Sequence, residues 1–98
     1  MKYDHIIIGA GSAGCVLATR LTEDPEISVL LLEAGPDYLD IHSAPDDVKF
    51  GNNMWKSAYG QHSWGYPAFP TKRRSTPMII PRGKVVGGSS SINGQVIC

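Results

Sequence analysis

The sequence predicts an α/β fold: an N-terminal β-α-β unit followed by an irregular, aromatic-rich segment, together short of a complete domain. Three observations predict it. The β-branched run Ile6-Ile7-Ile8 leads without a spacer into Gly9-Ala10-Gly11-Ser12-Ala13-Gly14. That G-x-G-x-x-G stretch opens a helical pattern, and the pattern gives way to a second apolar run that ends on an acid, Glu33. Strand, glycine turn, helix and acid-tipped strand in this order describe a Rossmann-like parallel unit.

The first strand reads from Tyr3 to Gly9, an unbroken apolar run of the kind found where helices cover both faces of a parallel sheet. The helix then runs through Cys15 to Thr22. Ala13, Leu17 and Leu21 recur every four residues, with Val16 and Ala18 broadening the stripe, so this stripe is expected to pack on the sheet. Pro25 disfavours helical geometry in the residue before it and donates no hydrogen bond, which stops the helix near Glu23-Asp24. A second strand follows over Ile27 to Glu33 and halts at Ala34-Gly35-Pro36. Such crossovers are right-handed.

Between Pro36 and Ile80 the periodicity disappears, while five of the seven prolines and seven of the eight aromatic residues accumulate. Disordered segments are poor in aromatics, so residues 36–80 read as an irregular covering segment whose rings lie on apolar surface largely absent from this chain. Lys72-Arg73-Arg74 reads as a solvated loop face. Next, Met78-Ile79-Ile80 and Val85-Val86 lead to Gly87-Gly88-Ser89-Ser90-Ser91. The paired glycines allow backbone conformations closed to other residues, and Ser89 or Ser90 is a good N-cap for a following helical turn.

Each position of the first glycine motif has a physical role. Gly9 closes the strand in a tight turn, Gly11 lets a pyrophosphate approach the backbone, and Gly14 lets helix and strand pack closely. The helix start supplies unpaired N–H groups and roughly half a positive charge of dipole, so no Lys or Arg is needed to hold the anion. Glu33 lies 19 residues beyond Gly14 (33 − 14), near the spacing of about 20 at which an acid accepts hydrogen bonds from an adenosine ribose. Its charge would repel a 2′-phosphate. These residues do not separate a nicotinamide from a flavin dinucleotide, since both carry the same adenosine diphosphate half.

The second motif separates them. Gly9 to Glu33, Leu32-Glu33-Ala34-Gly35, Trp64-Gly65-Tyr66 and the run Pro81 to Gly94 together resemble the glucose-methanol-choline family of flavin-dependent alcohol oxidoreductases, and in particular its bacterial choline dehydrogenase-like members. The likeness runs along essentially the whole chain. It implies a Rossmann-like FAD-binding domain in which Gly9, Gly11, Ser12, Ala13 and Gly14 hold the FAD pyrophosphate and Glu33 with Ala34 meets the ribose. It also implies that the backbone around Val86, Gly88 and Ser89, and the turn containing Asn93, Gly94 and Val96, lie along the pyrophosphate, ribityl chain and flavin ring. Some members attach flavin covalently through a histidine where Ile92 stands here, so the FAD is expected to be non-covalent. The family mechanism passes hydride from an alcohol to flavin while a distal histidine takes the hydroxyl proton. His5, His42 and His62 match no such motif, so no catalytic residue is expected in this chain.

Composition narrows the rest. Nine Lys plus Arg against nine Asp plus Glu leave no basic footprint for nucleic acid. The longest apolar runs fall far short of the roughly 18 to 20 residues that span a bilayer. The start enters a strand directly, with no secretory pattern, which points to the cytoplasm. Cys15 and Cys98 read as free thiols, Cys15 as a small buried hydrophobe in the helix. The ending Gln95-Val96-Ile97-Cys98 reads as the start of an element, so the chain is expected to be an N-terminal fragment, inactive alone. A nicotinamide-binding dehydrogenase domain and a non-catalytic β-α-β binding module are the competing readings, and neither accounts for the Gly-Gly-Ser-Ser-Ser segment.

Overall fold

In a computed structural model describing residues 1–50 and 54–93, the bonds between Asp4 and Ser28 set how the first two strands meet. Asp4 Oδ2 accepts hydrogen bonds from Ser28 Oγ at 2.6 Å and Ser28 N at 2.9 Å, and Asp4 N donates to Ser28 O at 3.0 Å. The hydroxyl bond first, and the backbone bond next, hold the Asp4 carboxyl below the usual carboxylate range. From this clasp β1 (His5–Ile8) and β2 (Val29–Leu32) run parallel, with His5 opposite Val29 and Ile8 opposite Leu32. A slip of one residue would turn every side chain to the other face.

Helix α1 (Ser12–Leu21) crosses between them and ends before Pro25, with Thr22 N bonded to Ala18 O at 3.1 Å. The face it turns to the sheet matches the expected one only at Ala18 and Leu21. Gly14 is buried and Ala18 and Leu21 are half-buried, whereas Ala13 is exposed and Val16 and Leu17 are 60% and 53% exposed. The residue with no side chain sets the line of closest approach, and the more apolar stripe is rotated away from it. Cys15 is half-buried, not fully buried, and its thiol donates to Ala10 O at 3.2 Å. Among the described residues the sheet is covered on the α1 side only, and Ile6 and Ile8 are exposed.

Among the described residues the middle stretch, expected to be irregular, contains two short helices, α2 (Asp46–Lys49) and α3 (Met54–Tyr59), and an antiparallel hairpin of β3 (Tyr66–Ala68) with β4 (Met78–Ile80). Elements of three to six residues are too short to display a period. Pro67 is tolerated because each strand of a two-stranded sheet is an edge. Lys72, Arg73 and Arg74 are exposed in the hairpin connection. Trp55 stacks on Tyr59 and Trp64 on Tyr66, with centroids 5.9 and 6.0 Å apart, and all four rings keep exposed surface.

Burial concentrates where this stretch meets the segment that follows it. Ala10, Ala44, Val85 and Ile92 are buried, as is His62, whose Nδ1 lies 2.6 Å from Asp47 Oδ2 and whose Nε2 lies 2.8 Å from the Tyr38 hydroxyl. His62 is thus a satisfied core histidine. Its carbonyl accepts from Lys84 N at 2.8 Å, and Trp64 N donates to Arg82 O at 2.9 Å. The strap from Arg82 to Gly88 is carried on these bonds towards the glycine turn after β1, where Val86 N meets Pro36 O at 3.0 Å and Gly87 N meets Ala10 O at 2.7 Å. A 3₁₀ turn, Gly88–Ser91, follows. Among the described residues no helix is long and apolar enough to cross a membrane.

Candidate functional site

The site begins with the close contact between α1 and β1. A Cβ at Gly14 would lie 1.9 Å from Gly9 O, so only glycine lets the helix start this near the strand end. Gly9 itself turns with φ +98° and donates to Leu32 O at 2.7 Å. Cys15 N bonds to Gly11 O at 2.9 Å, and the N–H groups of Ser12, Ala13 and Gly14 precede that bond at the positive end of the helix.

The strap closes against this turn. Gly11 and Gly87 form a parallel bridge, and a Cβ at Gly88, whose φ is +63°, would lie 2.9 Å from Gly11 Cα. Both the left-handed backbone and the contact require glycine there. Ser12 Oγ and Ser90 Oγ lie 2.7 Å apart, which ties the helix start to the 3₁₀ turn. The serines do not cap that turn as expected: Gly87, in the left-handed region, is its N-cap, with no side-chain bond. Ser89 Oγ instead accepts from Gly83 N at 3.0 Å, and Ser91 Oγ donates to Val86 O at 3.0 Å. Gly87 enters the turn left-handed, so the serine hydroxyls are left to brace the strap.

Glu33 has a second task that its spacing did not reveal. Its Oε2 accepts from Ala10 N at 2.8 Å and its Oε1 from Gly35 N at 3.0 Å, which staples the glycine turn to the end of β2. Each carboxylate oxygen retains a further lone pair, so a ribose hydroxyl can still be accepted.

These parts line one cavity of about 600 Å³, where Gly9, Gly11, Glu33, Ala34, Gly88 and Ser89 of the expected set come together. Ser12, Ala13 and Gly14 at the helix start, and Val86 in the strap, do not line it. Trp64, Tyr66 and Arg82 do line it. The sequence signal for the two rings is the Trp64-Gly65-Tyr66 triplet, and Arg82 stands within the Pro81 to Gly94 run, which gave it no role of its own. Asn93 lies elsewhere, lining a second cavity of about 500 Å³ with Trp55, Tyr59, Met78 and Ile92. Gly94, Val96 and Cys98 lie outside the described residues. Among the described residues no group of three or more His, Cys, Asp or Glu side chains could hold a metal ion. The first cavity has bare backbone at Gly9, Gly11 and Gly88, the start of α1 adjoining it at the N-cap Gly11, and the Glu33 carboxylate as an acceptor beside them. It can hold the pyrophosphate and ribose of a dinucleotide.

The chain is similar to known proteins along nearly its whole length. The sequence profile of the family described as GMC oxidoreductase matches residues 3–98. The oxygen-dependent choline dehydrogenase of Proteus mirabilis is 49% identical over 97 residues, covering 97% of this chain and 17% of the relative. The alcohol dehydrogenase [acceptor] of Pseudomonas putida is 45% identical over 96 residues, covering 96% and 16%. An FAD-dependent oxidoreductase from Chaetomium thermophilum of known structure superposes with a TM-score of 0.70 at 35% identity, covering 97% of this chain and 15% of that one. The chain therefore spans about a sixth of the length of these relatives.

Proposed function

This chain belongs to the GMC oxidoreductase family, and from that membership we propose that it is the FAD-anchoring N-terminal part of a choline dehydrogenase-like alcohol dehydrogenase or oxidase, which passes hydride from an alcohol carbon to the flavin. The observation that carries the reading is the Gly11–Gly87 bridge. It brings two motifs 76 positions apart (87 − 11) to the rim of one cavity, which a β-α-β scaffold with incidental glycines would not need.

FAD, when bound, supplies the hydride acceptor. The chain's own residues bind and orient it. The N–H groups of Ser12, Ala13 and Gly14 donate to the pyrophosphate, and Gly11, which lines the cavity without a side chain, lets it approach. Glu33 accepts from a ribose hydroxyl beside Ala34. The backbone of Val86, Gly88 and Ser89 walls the cofactor, and Asn93, Gly94 and Val96 take the flavin end. Ile92, buried and without a nucleophile, stands at the tethering position, so the attachment is non-covalent. No described histidine serves as base: His62 is enclosed by Asp47 and Tyr38.

A chimera carrying residues 3–98 in place of the matching segment of the Proteus mirabilis relative tests this. It should purify yellow, release its flavin on acid denaturation and oxidise an alcohol, while the chain alone turns over none. A folded chimera without flavin refutes the anchoring role, colour retained on the acid-denatured protein refutes non-covalent binding, and turnover by the chain alone refutes its inactivity.

A further inference from the structure

We propose that Arg82 supplies the cation that binds the pyrophosphate of the cofactor, an inference that rests on the FAD-anchoring reading. Against the sequence expectation that no Lys or Arg is needed to hold the anion, the charges in the cavity call for one. A pyrophosphate diester carries two negative charges, the start of α1 offers roughly half a positive charge, and Glu33 adds a negative charge to the same cavity. Helix dipole and backbone donors alone leave that balance negative.

Arg82 is the one Lys or Arg among the described residues that line this cavity. Its backbone is held in place: its carbonyl accepts from Trp64 N at 2.9 Å, Ser63 and Gly83 form an antiparallel bridge, and Gly83 N donates to Ser89 Oγ at 3.0 Å. Its guanidinium is not committed to a carboxylate. Nη1 donates to Pro81 O at 2.7 Å, and among the described residues no acid pairs with it. A planar fork with donors to spare matches two phosphate oxygens at once. The neighbouring cation is engaged differently, since Lys84 Nζ sits 4.8 Å over the Trp64 ring. The Lys72-Arg73-Arg74 run does not line this cavity.

All of these contacts lie within the chain, so the full chain and two probes suffice: ADP, which carries the diphosphate, and adenosine, which lacks it. Calorimetric titration of Arg82→Gln should show ADP binding weakened about tenfold or more, and adenosine binding changed less than about twofold. Arg82→Lys, which keeps the charge and loses the fork, should bind ADP more weakly than wild type and more tightly than Arg82→Gln. Equal ADP affinity in wild type and Arg82→Gln overturns the proposal, and so does an equal loss for adenosine or an Arg82→Lys as weak as Arg82→Gln. Should Arg82→Gln lose the wild-type circular dichroism, the wild-type chain decides. Its ADP affinity must fall as salt rises from about 50 to 200 mM while adenosine binding holds, and a flat ADP response overturns the assignment. A wild-type chain that binds neither ADP nor FAD, together with a folded chimera that purifies without flavin, removes the FAD-anchoring reading as well. One that binds both, with Arg82→Gln unchanged, removes only the role of Arg82.

Discussion

Gly14→Ala sets two opposing effects against each other, and their magnitudes follow from the structure. Alanine is the better helix former by about 1 kcal/mol, and Gly14 lies within the first turn of α1, so propensity alone would stabilise the variant. The added methyl, however, would sit 1.9 Å from Gly9 O, 3.1 Å from Gly9 C and 3.3 Å from Ile7 Cγ2. A carbon–oxygen contact settles at about 3.3 Å or more, so the overlap is on the order of 1.4 Å and falls on backbone that cannot rotate away. The helix must move off the strand end, which strains the Ser12–Ser90 contact and the Gly11–Gly87 bridge. Overpacking of this kind costs about 1–3 kcal/mol, and a forced backbone shift places it at the upper end. The net expectation is a loss of about 1–2 kcal/mol, or roughly 4–16 °C in the midpoint of a chain this size. ADP binding should weaken at least about tenfold. Thermal melts followed by circular dichroism, with calorimetric titration of ADP, measure both. A variant that melts several degrees higher than wild type and binds ADP equally well would show that the steric reasoning is wrong.

Glu33→Gln should destabilise the chain by about 1–3 kcal/mol in urea, because one amide oxygen cannot serve both Ala10 N and Gly35 N; it should weaken adenosine as well as ADP, unlike a change at Arg82. An unchanged urea midpoint would count against the staple. Asp4→Asn tests pH dependence. The folded pKa of Asp4 is lowered by its bonds to Ser28, so its contribution is present above the unfolded carboxylate range near about pH 4 and is lost as pH falls through the folded value. Wild type should therefore melt above the Asn variant at pH 5 to 6, by a margin that narrows below about pH 4. Parallel melting curves across that range would exclude the Asp4 clasp as a source of stability.

Legibility in the sequence tracked how local each cause was. The isoleucine run, Pro25 and the spacing of Gly9, Gly11 and Gly14 act on their own neighbours, and β1, α1 and β2 lie where those signals place them. The packed face of α1 was misread because the apolar stripe suggested Leu17, whereas the glycine decided how close the helix could come. Residues 36–80 hid two helices and a hairpin because each is shorter than the window a period needs. His62 offered no sequence sign that it would be enclosed, since Tyr38 and Asp47 are 24 and 15 positions away.

By itself the sequence determined the strand-turn-helix that can meet a pyrophosphate and the acid that follows it, because backbone sterics and helix termini are properties of contiguous residues. Only the tertiary structure decided that Gly87 and Gly88 close on Gly11, that Ser89 braces the strap instead of capping a turn, that Arg82 shares the cavity with Glu33, and that Asn93 opens into a different one. Those outcomes depend on where the strap lies across the turn after β1. Hydrogen bonds between distant residues, at Trp64, His62, Pro36 and Ala10, set that path.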